Sequence, residues 1–476
     1  MSISFGTDGW RAVISETFTF GNLRLLAQAI ADLILEENNG QPPHAVVGFD
    51  TRFLSDRYAA EVARVLAGNG IKTLLANSDA PTPVISYAVK QTGAAAGVMI
   101  TASHNAPRYN GVKLKASYGG SASPEQCRRV ELHLRDNEER ARGPNLIDLE
   151  VGLQERLIER FNPVPAYYAH LRELVNLDAI CAANPRVVHD PMYGAGRGYI
   201  KGLLGGVGCQ VHEIRGEMNP GFGGIHPEPL AKYLGALAAA IQSGFGEVGL
   251  ATDGDADRIG AMDGKGNFVD AHRIFALVLR YLVEQRGMKG TVVRTVSTTR
   301  MIDRLCRRYG LLLKETPVGF NHIADIMMSE DVLMGGEESG GISVKGHIPE
   351  GDGILLGLLL LEVIATSGLT LEELVNDLHA DVGPAYYART DLRLRRPVDK
   401  REMTARLRDD APVQIAGLKV DEVSSRDGVK YIMEDESWLL IRPSGTEPVL
   451  RVYAEGRSEA IRDGLLKYGE QVAESV

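Results

Sequence analysis

With 476 residues, 44% of them apolar and 24% charged, the chain is too long for one hydrophobic core and is expected to divide into several globular domains. Its formal charge of −10 at pH 7 argues against a nucleic-acid surface, so an anionic ligand would need a locally focused basic site. No apolar run reaches the roughly 18 residues of a membrane span, and Met1-Ser-Ile-Ser-Phe-Gly6 lacks the basic start and apolar core of a secretion signal. The expected setting is the cytoplasm, with no nucleic acid and no membrane among the partners. Cys127, Cys181, Cys209 and Cys306 stand far apart without a C-x-x-C pair, which predicts buried thiols and no disulfides.

The elements predicted in chain order repeat one supersecondary unit. An apolar run over 45–49 ends in Asp50-Thr-Arg52, and Ser55 then caps a helical pattern through Ala59, Val62, Ala63 and Leu66. Strands over 71–75 and 96–100 follow, the latter delivering Thr101-Ala-Ser-His-Asn105 at its C-terminal end. The charged stretch from 128 to 160, followed by Pro163 and Pro165, reads as the first boundary. The unit restarts with strands over 186–190, 211–214 and 247–251, the last delivering Asp253-Gly-Asp-Ala-Asp257-Arg258. A second boundary is expected near 263–269. The unit restarts again with strands over 291–296, 311–314 and 332–334, which lead into Gly336-Glu-Glu-Ser-Gly340. The apolar run 354–361 reads as a buried helix, and a long helix is expected to continue to about Ala380, with Gly383-Pro384 as the third boundary. Beyond it lie charged alternating segments, strands over 438–441 and 450–454, and a terminal helix from Glu459. This is α/β architecture in which three similar units each finish a strand with one polar loop, at the strand ends where open sheets bind ligands.

Each polar loop has a plain alternative and a chemical one. Ser103 sits outside G-x-S-x-G, so a hydrolase elbow is not supported, and the loop hydroxyl competes with a nucleophile reading. Asp253, Asp255 and Asp257 alternate, but the sixth and twelfth positions of a calcium loop fall on Arg258 and Gly264, so the EF-hand fails. Three crowded carboxylates repel one another unless a cation neutralises them, which favours a hard divalent ion such as Mg²⁺ over a solvated acidic turn. Glu337, Glu338 and Ser339 suit pairs of sugar hydroxyls, although acidic glycine-rich turns are common. Arg442-Pro-Ser-Gly-Thr-Glu-Pro448 combines a guanidinium, hydroxyls and a glycine, the ingredients of an anion nest.

Taken together these motifs resemble the α-D-phosphohexomutase superfamily, the phosphoglucomutase/phosphomannomutase family. The resemblance spans nearly the whole chain and also includes Phe5-Gly-Thr-Asp-Gly-Trp-Arg11, Gly48-Phe-Asp-Thr-Arg52, Ala80-Pro-Thr-Pro83, Tyr109-Asn-Gly-Val-Lys113, Asp190-Pro-Met-Tyr-Gly-Ala-Gly196, His226-Pro-Glu-Pro229 and Thr316-Pro-Val-Gly319. It implies a heart-shaped molecule of four domains, three similar mixed-sheet α/β domains and a smaller C-terminal α+β domain, expected over 1–150, 151–268, 269–382 and 383–476.

The implied chemistry is an intramolecular phosphoryl transfer on a small phosphosugar, in a monomer or homodimer. By this resemblance Ser103 carries the phosphate and, with Asp253, Asp255 and Asp257, holds Mg²⁺. Arg11, Lys113 and Arg258 surround the reacting phosphate, and His104 and Lys113 handle protons. Glu337 and Ser339 bind sugar hydroxyls, while Arg442, Ser444, Gly445 and Thr446 bind the distal phosphate. Glucose 1,6-bisphosphate is the implied activator and intermediate. Ala106, Asn321 and Gly341 depart from common family patterns: Asn321 stands where many relatives have a basic residue, and Gly341 where mannose/glucose and glucosamine enzymes often have histidine. Glu338 and the absent histidine resemble glucose-type loops, so glucose phosphate is the expected substrate, ahead of mannose phosphate or dual specificity for both, a glucose 1,6-bisphosphate synthase and a non-catalytic sugar-phosphate sensor.

Overall fold

The structure is a computed structural model that describes residues 3–6, 9–38, 42–394, 399–443 and 449–474. Its first sheet contains β1 (Trp10–Val13), β2 (His44–Phe49), β3 (Lys72–Ala76), β4 (Ala96–Ile100), β5 (Tyr109–Ala116) and β6 (Ile158–Phe161), in the order β1-β5-β4-β2-β3-β6. Strand β2 pairs parallel with β3 and β4, while β5 runs antiparallel to β4. Strand β2 is apolar and buried almost throughout, as expected of a parallel strand covered on both faces.

The second sheet joins β7 (Val187–Asp190), β8 (Val211–Glu213), β9 (Val248–Thr252), β10 (Ile259–Met262) and β11 (Phe268–Val269) in the order β11-β10-β9-β7-β8. The third joins β12 (Thr291–Thr295), β13 (Leu313–Thr316), β14 (Val332–Gly336) and β15 (Ile342–Val344) in the order β13-β12-β14-β15. All three share one plan. A central strand (β2, β7 or β12) has parallel neighbours on both sides, and one of those neighbours (β4, β9 or β14) pairs antiparallel with the next strand in sequence. The three polar loops occupy the same place in this plan, between β4 and β5, β9 and β10, and β14 and β15.

Two expectations change. The charged stretch after residue 128 is not a connector: it carries the helices Pro124–Glu139 and Leu149–Gln154 and strand β6, and Arg129 pairs with Glu36 and Glu37 on helix Phe20–Glu37. Its charges solvate the outer face of a packed helix. We therefore propose domain divisions after Phe161, Val269 and Val382, where the sheets themselves end or the last helix stops. The expected long helix is two helices, Gly353–Ser367 and Leu371–Val382, bent by 86°. Gly368 ends the first with φ +69°, and a Thr370–Glu373 capping box starts the second. Leu355, Leu356 and Leu358 to Leu361 are buried on all sides of the first helix, the mark of a core helix. No single helix among the described residues is long and apolar enough to cross a membrane. The four cysteines are free thiols.

The fourth sheet is antiparallel throughout: β16 (Tyr386–Arg393), β17 (Gln414–Ile415), β18 (Leu418–Ser424), β19 (Val429–Met433), β20 (Trp438–Pro443) and β21 (Val449–Gly456), in the order β16-β21-β20-β19-β18-β17. Its period-2 alternation has a direct consequence. Leu439, Ile441, Leu450, Val452 and Ala454 face the domain's own core, while Trp438, Leu440 and Tyr453 pack on Val296 and Val318 of the third domain. Arg442 lies opposite Arg451 in the register, and Arg389 opposite Tyr453, so three arginines share the face that looks out of this domain.

Candidate active site

Ser103 follows β4 with its backbone in the left-handed region, φ +50°, a conformation costly for a residue with a Cβ. The loop is held there from below. The buried guanidinium of Arg52 donates to the carbonyls of Ser103 and Asn105 at 2.6 Å and of Ala106 and Tyr109 at 3.0 Å, and Asp50 backs it at 3.2 Å. Burial pushes the Asp50 carboxyl up to about 6 against the pull of Arg52. Phe222 of the second domain covers the Arg52 guanidinium, 4.9 Å from ring centroid to Cζ. Arg52 appeared in the sequence only as part of a motif, because its acceptors are backbone carbonyls that no residue type announces.

The aspartate loop meets the serine loop directly. Ser103 Oγ donates to Asp253 Oδ2 at 2.9 Å and stands 3.3 Å from His104 Nδ1. Gly254 makes the approach possible, since a Cβ there would lie 2.5 Å from the Ser103 carbonyl oxygen. Asp253, Asp255 and Asp257 offer oxygens that all lie within 4.8 Å of one another. At an effective dielectric near 20, two such charges repel by about 3 kcal/mol, so the triplet requires positive charge. Lys113 from β5 supplies some of it, donating to Asp255 Oδ2 at 2.9 Å and Asp257 Oδ2 at 2.8 Å, and Thr82 Oγ1 donates to Asp255 Oδ2 at 2.6 Å. Burial and then the neighbouring carboxylates push Asp253 well up, whereas Lys113 and Thr82 overcome burial and hold Asp255 down. The other oxygen of Asp255 is buried and has no hydrogen-bond partner among the described residues. An orphaned carboxylate oxygen beside two further carboxylates fits a hard divalent cation, so these three residues can hold a metal.

Around this centre Arg11 donates to Asn105 Oδ1 at 2.7 Å, and Arg258 donates to Glu228 at 3.2 Å. Burial works against the Arg258 charge, but Glu228, Asp253 and Asp257 outweigh it and keep the guanidinium protonated. Burial, followed by the charges of Arg258 and Arg11, holds His104 well below the ordinary imidazole range, so it is neutral at pH 7.

Arg11, Ser103, His104, Lys113 and Arg258 line a cleft of about 330 Å³ together with Glu337, Ser339 and Arg442. Asp253 and Asp255 lie beneath its floor, fully buried, and Asp257 lines the wall. Contacts string the remaining elements across the cleft. Gly319 donates to Glu337 Oε1 at 2.9 Å, Val318 donates to Asp427 Oδ2 at 3.1 Å, and Arg442 Nε donates to the same oxygen at 2.8 Å. Ser444, Gly445 and Thr446 lie outside the described residues. Arg389 and Arg451, not anticipated from sequence, join Arg442 in lining the cleft from the fourth domain. Their only signal was charged alternation along β16 and β21. Glu338, read as a sugar contact of the loop, is drawn aside to accept from Ser297 Oγ at 2.7 Å, with Arg389 3.9 Å away.

This geometry has known counterparts. The chain matches the four domains described for phosphoglucomutase/phosphomannomutase: alpha/beta/alpha domain I over residues 2–141, domain II over 165–266, domain III over 270–382 and the C-terminal domain over 395–467. It is 30% identical over 473 residues to a phosphoglucomutase/phosphomannomutase of Thermococcus kodakarensis, covering 99% of this chain and 98% of that one. A phosphoglucosamine mutase of Acetivibrio thermocellus is 32% identical over 459 residues, covering 95% and 94%. A solved structure from Thermus thermophilus, described as a candidate phosphomannomutase, superposes with a TM-score of 0.86 at 35% identity, covering 100% and 99%. With all four domains matched and a loop from each of the first three meeting the fourth at one polar cleft, the chain belongs to the phosphoglucomutase/phosphomannomutase family of the α-D-phosphohexomutase superfamily and is a phosphohexomutase enzyme.

Proposed function

We propose that the protein interconverts glucose 1-phosphate and glucose 6-phosphate through a phosphorylated Ser103 and a glucose 1,6-bisphosphate intermediate. The observation that carries this reading is the placement of Ser103 Oγ 2.9 Å from Asp253 Oδ2, beside three carboxylates of which Asp255 and Asp257 are paired with Lys113. In the proposed reaction the free hydroxyl of the monophosphate attacks the phosphorus on Ser103. The bond from phosphorus to Oγ breaks as the new phosphate ester forms, and the hydroxyl proton passes to the neutral ring of His104, which stands 3.3 Å from Oγ and returns a proton to it as it leaves. The bisphosphate then turns over and returns its other phosphate to Ser103. Asp253, Asp255 and Asp257 would hold Mg²⁺, which when bound neutralises charge on the transferring phosphoryl group. Arg11, Lys113 and Arg258 are assigned to the reacting phosphate, Glu337 and Ser339 to sugar hydroxyls, and Arg442 with Ser444, Gly445 and Thr446 to the distal phosphate.

The glucose preference rests on the loop resemblance at Glu338 and Gly341. Mannose phosphate is the second reading, supported by the 35% identity to the Thermus thermophilus chain. The test is turnover of glucose, mannose and glucosamine 1-phosphates with and without bisphosphate, alongside peptide mass analysis of Ser103. The fastest turnover is expected with glucose 1-phosphate, and Ser103→Ala should abolish it. Wild-type rates in Ser103→Ala, or no phosphate on Ser103 after turnover, would refute the phosphoserine route.

A further inference from the structure

Strand β5 carries two lysines toward other domains. Alternation along the strand puts Lys113 and Lys115 on one face, and both are buried, Lys113 against the aspartate loop of the second domain and Lys115 against the third domain. Lys115 Nζ donates to Glu350 Oε2 at 2.6 Å and to Ser121 Oγ at 3.4 Å. The two charged side chains are 1% and 5% exposed, and Glu350 lines the cleft. Glu350 stands in the segment between β15 and helix Gly353–Ser367, which is wedged between two of the polar loops. A Cβ on Gly351 would lie 2.7 Å from the Asp257 carbonyl oxygen and 2.9 Å from Gly341 Cα, and Gly353 N–H donates to the Ala256 carbonyl at 3.0 Å. Gly341 in turn closes the sugar loop, accepting from Glu337 N–H at 3.0 Å. On the other side the segment presses on the first domain, where a Cβ on Gly120 would lie 2.7 Å from the Pro349 carbonyl oxygen.

A buried ion pair is weak evidence of a stabilising role. Exchanging both partners for apolar residues of similar volume is often neutral or stabilising, whereas removing one leaves an uncompensated charge in the interior. What the pair supplies is a fixed length and direction between two domains. The strand that holds Lys115 also holds Lys113 against the aspartates, and the segment that holds Glu350 backs the sugar loop at Gly341. We propose that Lys115 and Glu350 are a positioning pair that sets the sugar loop of Glu337 and Ser339 at the distance from Ser103 where a hexose hydroxyl lies in line for phosphoryl transfer. Neither side chain touches the reacting atoms in this role. Transfer is sensitive to that spacing, since a misplacement of about 1 Å can cost about 100-fold in rate. The inference rests on the mutase reading above and adds to it what fixes the distance between phosphate donor and acceptor sugar.

Three variants separate positioning from folding. Glu350→Gln strands the Lys115 charge and should lower the melting temperature together with activity. The double variant Lys115→Met/Glu350→Met removes both charges at similar volume and should recover the wild-type melting temperature. Its kcat for glucose 1-phosphate should still be roughly 10–100-fold down, with a smaller change in KM. Glu350→Asp keeps both charges but shortens the reach, and about a tenfold loss of kcat at near wild-type stability is expected. The readout specific to positioning is the fate of phosphate on Ser103, loaded from glucose 1,6-bisphosphate and freed of sugar. Transfer to added glucose 1-phosphate should slow about tenfold or more in the double variant, while loss to water without sugar keeps the wild-type rate. Wild-type kcat in the double variant or in Glu350→Asp would overturn the inference and leave the pair a folding contact. Equal slowing of transfer to sugar and to water would also overturn it, by placing the damage in the Ser103 loop. Should the double variant not fold, Glu350→Asp decides by the same measurements. Failure of the wild-type protein to turn over hexose phosphates, or to carry phosphate on Ser103, would overturn the mutase reading and the inference together.

Discussion

Arg52 shows how much of this site depends on a residue that never touches the reacting atoms. Its guanidinium serves four carbonyls of the serine loop and keeps Ser103 in the left-handed region beside Asp253. Lysine has three donors on one rotating centre and cannot reproduce a planar fork. Each buried carbonyl left unpaired costs about 1–3 kcal/mol. Arg52→Lys should therefore lower kcat by roughly 10–100-fold with little change in KM. The check is steady-state kinetics with glucose 1-phosphate, together with the rate at which bisphosphate phosphorylates Ser103. Loss confined to thermal stability, with kcat unchanged, would assign Arg52 to folding alone. The three aspartates were legible as carboxylates crowded too closely to stand without a cation, whereas Ser103 and His104 entered through the family resemblance, because a serine or a histidine in a loop is by itself ordinary. The clamp was not, since a backbone carbonyl looks the same at every position.

At the scale of elements, two loops from different domains are pressed together, and a glycine with an aspartate decides the contact. Gly254 leaves no room for a methyl group against the Ser103 carbonyl, so Gly254→Ala must displace one loop. A loss of at least about tenfold in kcat/KM is expected, with about 1–3 kcal/mol of stability; kinetics and thermal melting read the two effects separately. Asp255→Asn keeps the loop shape but removes one of the three carboxylates proposed to hold the metal. The Mg²⁺ concentration for half-maximal activity should rise at least about tenfold, measured by titration after EDTA treatment. An unchanged requirement would place the metal elsewhere. The same scale explains the charged segment after residue 128. Local polarity marked it as a connector, but its arginines pair across to Glu36 and Glu37, contacts that depend on how two helices pack.

For the whole molecule, the decisive contact is the seat of the fourth domain on the third. Lys430 of β19 donates to the Val296 carbonyl at 2.6 Å and stands 4.3 Å from the centre of the Trp438 ring. Burial first, and then Arg294, lower its ammonium to about 7. An unfolded lysine titrates near 10.4, so between pH 7 and that value the unfolded chain binds the extra proton, and stability from this group rises with pH. Lys430→Met removes the titration and keeps the volume. Between pH 7 and 9 the wild-type protein should gain roughly 1–2 kcal/mol relative to the variant, read from paired denaturation curves. Parallel curves would show that Lys430 stays charged in its seat.

The division of information follows from the range of the forces. Strand and helix periodicity, the three repeated units and the four polar loops are properties of neighbouring residues, and they were readable along the chain down to Ser103, Asp253, Asp255, Asp257, Glu337 and Arg442. The buried helix Gly353–Ser367 was likewise visible as an unbroken apolar run. What required the folded molecule were contacts between residues far apart in sequence: Arg52 under the serine loop, Lys113 between two aspartates, and Arg389 and Arg451 beside Arg442. Those depend on sheet register and on which face of a strand turns toward another domain, and burial and electrostatic coupling act through space without regard to chain order.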